Sequence, residues 1–227
     1  MNIKYSILKY EFLQLIRQDK NIGIVIYATG LPIVTYIVNV FTKSSDSTLG
    51  LCFLSICFLN LFYAQRQFIG DQIYYEGFFS KGLNFRAFVQ TKLLLLQLSN
   101  FVFYILLIPQ FFIPFNLERF LLLSTFCFYC IGFASPFSLW LTVNNYKFSF
   151  NSFNPSSTLE RRYKVTINQL FKGILPFFPE VGIIMIFSYR SDYIFMLNIF
   201  LSLLGLLLTK KIVDFINNKI LNSRHLL

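Results

Sequence analysis

This chain of 227 residues contains little charge: Asp, Glu, Lys and Arg make up only 13% of it, whereas 56% is hydrophobic and 19% is aromatic. A soluble domain of similar size carries charge on about a quarter of its residues. The composition therefore excludes an ordinary soluble domain and indicates an integral membrane protein. The net charge of +10 does not point to nucleic acid, because the basic residues fill the gaps between apolar segments instead of forming one stripe.

Groups that could carry catalysis are scarce. His225, the sole histidine, lies near the end of the sequence, and no Cys/His cluster has zinc-binding spacing. No Walker A pattern occurs, so the chain is not expected to bind and hydrolyse ATP by that route. Paired acidic residues within apolar segments, which are typical of ion-coupled transport, are also absent from the sequence. We predict no catalytic residue, no metal and no cofactor, and we do not expect the chain to be an enzyme by itself.

Cysteine is also rare, and its placement is apolar. Cys52, Cys57, Cys127 and Cys130 all lie within apolar runs. The last two form a C-x-x-C pair, which in other contexts binds metal or performs redox chemistry. Their neighbours here are Phe, Leu and Tyr, so we interpret all four as small apolar thiols in membrane helices.

Long apolar runs dominate what remains. A helix needs about 20 mostly apolar residues to cross a bilayer. The sequence predicts an all-α polytopic fold of one transmembrane domain, 1–227, with six spans at about 22–42, 49–68, 91–113, 120–143, 169–188 and 193–213.

The first twenty residues predict a different kind of helix. Apolar side chains recur there at helical spacing while Lys9, Gln14 and Arg17 fall largely elsewhere, which is typical of an amphipathic helix lying in the membrane interface. A charged lead-in to the first span is the alternative. We expect no cleavable signal peptide, because no short apolar core followed by a small-residue cleavage site occurs.

The basic residues predict one orientation. Only Lys43, Arg119 and Arg190 fall on one side of the six spans, and the remaining seventeen of the twenty Lys and Arg residues fall on the other. Cytoplasmic loops are enriched in Lys and Arg. Both termini and the two long loops should therefore face the cytoplasm, which places a multi-pass protein in the inner (cytoplasmic) membrane.

The segment 69–90 between the second and third spans is polar, aromatic and charged. Its glycines and a helix N-cap predicted at Asn84 indicate short helices at the membrane surface. Such elements commonly contact a soluble partner. A passive amphipathic surface element is the alternative.

One acidic residue is predicted within a span. Glu180 follows Pro176 and Pro179, and prolines leave backbone carbonyls free to line a cavity. These three residues are a possible translocation path, since ionisable groups at membrane depth are often functional. Alternatively, Glu180 caps the second half of a broken helix. Pro136, in the fourth span, and Pro109 are predicted to mark kinks or span ends.

Together these features resemble the permease subunits of ATP-binding-cassette exporters of the second, six-helix class. Those relatives carry a Gly-Thr-Leu-Glu segment, two apolar residues, a Pro and an apolar-Ser pair before a third span entered with Lys. Here Glu76 matches the Glu and Phe78-Phe79 match the apolar pair, while Gly82 replaces the Pro, Leu83-Asn84 replaces the apolar-Ser pair and Lys92 matches the Lys. The Phe-Asn-Pro at 153–155 is similar to stretches in permease-like proteins of the Bacteroidota.

The resemblance implies a homodimer or heterodimer of permeases above two separate ATPase chains, which bind the ATP. The segment 69–90 would dock on the ATPase through residues Asp71, Tyr74, Tyr75, Glu76, Phe78, Phe79, Lys81 and Arg86. Two other functions remain open: a non-transporting scaffold, assembly or immunity protein, and an intramembrane enzyme acting on lipid. The sequence does not identify a transported substrate.

Overall fold

The computed structural model describes residues 30, 32–37, 52–53, 55–56, 84–111, 117–145, 175 and 191–225. Within these ranges the chain is helical and contains no strand, as the sequence predicts. Helix α1 spans Phe85–Leu107 and continues as a 3-10 turn, Ile108–Phe111. Helix α2 (Leu117–Tyr129), a π-helical turn (Cys130–Ala134) and helix α3 (Ser135–Asn145) follow one another without a break. Helix α4 spans Ser191–His225.

Three helices among the described residues are long and apolar enough to cross a membrane: Phe85–Leu107, Leu117–Asn144 and Asp192–Asn222. They overlap the predicted spans 91–113, 120–143 and 193–213. Of the other three predicted spans, only a few residues are described. The interfacial helix predicted for residues 1–20 lies outside the described residues.

Helix α1 begins at Phe85, directly after the predicted N-cap Asn84, and so starts six residues before the predicted membrane span 91–113. The Asn84 Oδ1 atom accepts a hydrogen bond from the Ala87 backbone N–H at 3.3 Å, which satisfies one of the donors left free in the first turn. The predicted N-cap is therefore confirmed. The α-helix ends at Leu107, two residues before Pro109, whose ring and missing N–H disfavour a further α-turn.

Pro136 explains the π-helical turn between α2 and α3. In that turn the Ser135 N–H bonds the Cys130 carbonyl, five residues back. The same spacing would pair the Ile131 carbonyl with the nitrogen of Pro136, which has no hydrogen. The Gln97 side chain of α1 supplies the missing donor, from Nε2 to the Ile131 oxygen at 3.0 Å. The proline predicted to mark a kink thus widens the helix locally without ending it.

Helix α4 continues to His225, beyond the predicted end of its span at 213. Val213, Ile216 and Ile220 recur at helical spacing and are buried, so the packing surface of the helix extends past its most apolar part. At 35 residues the helix is about 52 Å long, whereas a bilayer core is about 30 Å thick. A substantial part of α4 therefore extends beyond the hydrocarbon.

The helices pack around one apolar cluster. Phe88 and Leu96 of α1, Leu123 of α2 and Ile216 of α4 are among its fully buried members. Helix α4 is the least enclosed of the three apolar helices: 22% of its most apolar window is buried, compared with 56% for the helix Leu117–Asn144. More than half of the residues in this most apolar part of α4 are exposed.

Candidate functional site

Residues 84–90, the cap and the first turns of α1, are the only part of the predicted docking segment 69–90 that the structure describes. Arg86 lies there, just after the Asn84 cap. The remaining predicted docking residues lie outside the described residues, namely Asp71, Tyr74, Tyr75, Glu76, Phe78, Phe79 and Lys81. The same is true of Pro176, Pro179 and Glu180, which were predicted to line a translocation path.

Arg86 forms an ion pair with α4. Its Nη2 atom lies 2.8 Å from Oδ1 of Asp214, and both side chains are a little over two-fifths exposed. An ion pair this accessible to water contributes about 0.2–1 kcal/mol. The ion pair mainly fixes the position of the first turn of α1 relative to the last turns of α4.

A second polar contact fixes α4 to the end of α3. The Lys219 ammonium donates to the Asn144 side-chain oxygen at 2.8 Å and approaches the Asn144 backbone oxygen at 3.3 Å. The same ammonium lies 5.9 Å from the centre of the Phe215 ring. The beginning of α1, the end of α3 and the last turns of α4 therefore converge. We call this convergence the helix-end junction.

Lys92 is the least expected residue near this junction. The resemblance places it at the entry to the third span, and in the structure it lies within α1 with its side chain fully buried. Its ammonium lies 4.6 Å from the centre of the Phe88 ring, a cation–π contact that is worth about 2 kcal/mol when water is excluded. The sequence places a lysine close to apolar residues but does not show that the helix begins early enough to enclose it.

A buried polar cluster lies deeper between the helices. Asn100 donates from Nδ2 to the Ser135 hydroxyl at 3.0 Å, and Ser135 donates to the Cys130 carbonyl at 2.8 Å. From α4, Ser202 donates to the Phe128 carbonyl at 2.8 Å. These bonds attach α1 to the start of α3 and α4 to the last turn of α2, on either side of the π-helical turn. Sequence analysis missed this cluster, although Asn100 in an apolar run was a usable signal.

Neither cluster has the composition of a catalytic centre. Cys52, Cys127 and Cys130 are buried free thiols, as interpreted from the sequence. No group of His, Cys, Asp or Glu among the described residues could hold a metal ion. The helix-end junction connects three helices through a few short polar contacts.

Comparison with family models, with curated proteins and with solved structures finds no match to this chain. What the fold itself supports is a helical, membrane-embedded protein.

Proposed function

We propose that this chain is the membrane-spanning permease subunit of an ATP-binding-cassette transporter, with export as its direction. A separate cytoplasmic ATPase drives it through the segment 69–90, and a second permease copy or a paralogue completes the transport unit. The chain carries no Walker A motif, so the ATP is bound and hydrolysed by the partner.

The observation that carries this proposal is the Arg86–Asp214 ion pair. The segment 69–90 ends in the first turns of α1, and Arg86 in these turns is bonded to Asp214 of α4. Helix α4 is attached in turn to the end of α3 through Lys219 and Asn144. A partner that pushes on 69–90 would therefore move three helices together, as rigid-body switching between two packed states requires.

Affinity purification of the tagged chain from native membranes tests the partner. We expect a nucleotide-hydrolysing protein with Walker motifs to co-purify. Replacing Glu76→Arg together with Phe79→Ala removes one rim charge and one aromatic anchor, so recovery of that partner should fall sharply. Arg119→Gln is the control, because it changes one charge at the start of α2, which is predicted to lie on the opposite side of the membrane.

The outcomes distinguish an error in the transport proposal from an error in the role of segment 69–90. Recovery of no nucleotide-hydrolysing protein by the unaltered chain would contradict the transport proposal and favour a scaffold, assembly or immunity protein. Undiminished assembly and ATP-dependent transport in the Glu76→Arg, Phe79→Ala variant would instead remove only the role assigned to segment 69–90.

A further inference from the structure

The most exposed ridge of α4 changes from apolar to basic within one turn. Leu203 is 57% exposed and Leu207 is 80% exposed, and Lys211 follows at the same four-residue spacing. Residues four apart lie on one face of a helix, about 6 Å apart along its axis. If the leucines face acyl chains, Lys211 lies where the hydrocarbon gives way to the headgroups.

The charges at this boundary are not used within the described structure. Lys210 and Lys211 are both exposed, and neither has an ion-pair or hydrogen-bond partner among the described residues. The nearest acidic side chain along the helix is Asp214, which is bonded to Arg86 at 2.8 Å. The ammonium groups of these two consecutive lysines are therefore available to an external anion.

Aromatic rings lie directly beside these charges. Phe215 is four residues after Lys211 on the same ridge and is 42% exposed. The half-buried ring of Trp140 in α3 lies with its centre 6.4 Å from that of Phe215. Lys219 covers Phe215 and is held by Asn144, so it supports the rings while Lys210 and Lys211 remain available. Tryptophan beside basic residues is typical of the membrane–water interface, where its ring contacts both glycerol and acyl chain.

We propose that Lys210 and Lys211 bind the phosphate of an anionic phospholipid, whose glycerol and upper acyl chain lie against Trp140 and Phe215. This headgroup site needs only membrane insertion, and it does not depend on the proposed transport function. Charge complementarity selects an anionic lipid over a zwitterionic one, because the cationic ammonium of the zwitterionic headgroup would be repelled by the two lysine ammonium groups.

The single tryptophan of the chain makes the test specific to this site. The purified full chain is reconstituted into mixed phosphatidylglycerol and phosphatidylcholine bilayers, with bromine on the acyl chains of one lipid or of the other at equal mole fraction. We expect brominated phosphatidylglycerol to quench Trp140 fluorescence more strongly than brominated phosphatidylcholine. The preference should weaken in high salt and persist when soluble glycerol phosphate is added, which separates a lipid from free phosphate.

Variants of Lys210 and Lys211 test whether these two residues cause the preference for phosphatidylglycerol. Lys210→Gln with Lys211→Gln should lower it roughly fivefold per lysine, since each basic residue near an anionic surface is worth about 1 kcal/mol. Lys210→Arg with Lys211→Arg should retain it. Arg119→Gln, which removes one charge at the start of α2, should also retain it.

Equal quenching of the unaltered chain by the two brominated lipids would overturn the proposal. A preference that survives both glutamine substitutions would also overturn it. The same holds for a preference that Arg119→Gln reduces as much as Lys211→Gln does. Either result would indicate diffuse attraction to the whole basic protein. The two lysines are exposed, and unchanged circular dichroism of the variants verifies that the fold is intact.

Discussion

Helix α4 crosses the π-helical turn at a distance that only glycine permits. A Cβ atom built at Gly205 would lie 2.7 Å from the Phe133 Cα atom and 2.8 Å from the Gly132 carbonyl carbon, and closer still to the Gly132 oxygen. Non-bonded carbon atoms normally approach to about 3.5–4.0 Å. The obstructing atoms are all backbone and cannot rotate away, so Gly205→Ala should force the two helices apart by about 1 Å.

The expected loss of stability combines three terms. Overpacking a close contact costs about 1–3 kcal/mol. Separation also weakens the hydrogen bond from Ser202 to the Phe128 carbonyl, now 2.8 Å, and such interhelical bonds in membranes contribute about 0.6 kcal/mol on average. Alanine recovers about 1 kcal/mol through its better helix propensity. We therefore expect Gly205→Ala to destabilise the protein by about 0.6–2.6 kcal/mol and Gly205→Leu to destabilise it more.

Unfolding of the purified chain in detergent, followed by circular dichroism, measures this loss. Gly30→Ala is the matched control: Gly30 is also helical, and no atom lies within 4 Å of a Cβ built there in the described structure. The control should be neutral or stabilised by up to about 1 kcal/mol. If Gly205→Ala matched or exceeded the stability of the unaltered chain while Gly30→Ala behaved as expected, the close crossing would be refuted.

Three further perturbations test the helix-end junction and the π-helical turn. Asn84→Ala should lower the free energy of unfolding by about 1 kcal/mol and speed amide hydrogen exchange in the first turn of α1, whereas Asn84→Ser should change little because serine also caps. Unchanged exchange in Asn84→Ala would contradict the cap. A double-mutant cycle of Arg86→Ala and Asp214→Ala, measured by the same unfolding assay, should give a coupling of about 0.2–1 kcal/mol, because both side chains are accessible to water. No measurable coupling would remove the pair from the junction. Gln97→Leu should lower the free energy of unfolding by about 0.6–1.7 kcal/mol in the unaltered chain. The loss should be smaller in a Pro136→Ala background, where residue 136 regains the missing N–H. Equal losses in the two backgrounds would show that Gln97 does not replace that donor.

Features that depend on residues close together in the sequence could be predicted, whereas contacts between distant residues could not. Asn84 was recognised as a cap because capping involves only the next three residues, and this prediction is confirmed. The apolar runs predicted helices able to cross a membrane, and three such helices occur within the described part of the chain. Pro136 was expected to distort its helix because its missing N–H is a property of the residue itself.

The partner of each polar side chain could not be predicted in the same way. Arg86 and Asp214 are far apart in sequence, and nothing in their neighbours selects one for the other. The burial of Lys92 depends on where α1 begins and on which helices surround it. Hydropathy predicted only the membrane span 193–213, whereas the helix continues to His225 with Val213, Ile216 and Ile220 buried by packing.

By itself the sequence determined the membrane class, the helical secondary structure and the local breaks, because hydropathy, capping and proline geometry act over a few residues. Only the tertiary structure decided that a glutamine would complete the π-helical turn, that two glycines would meet at the α4 crossing and that Asp214 would be occupied by Arg86, leaving Lys210 and Lys211 available. These outcomes depend on which helix faces bring distant residues to within a few ångströms, and local sequence does not encode that arrangement.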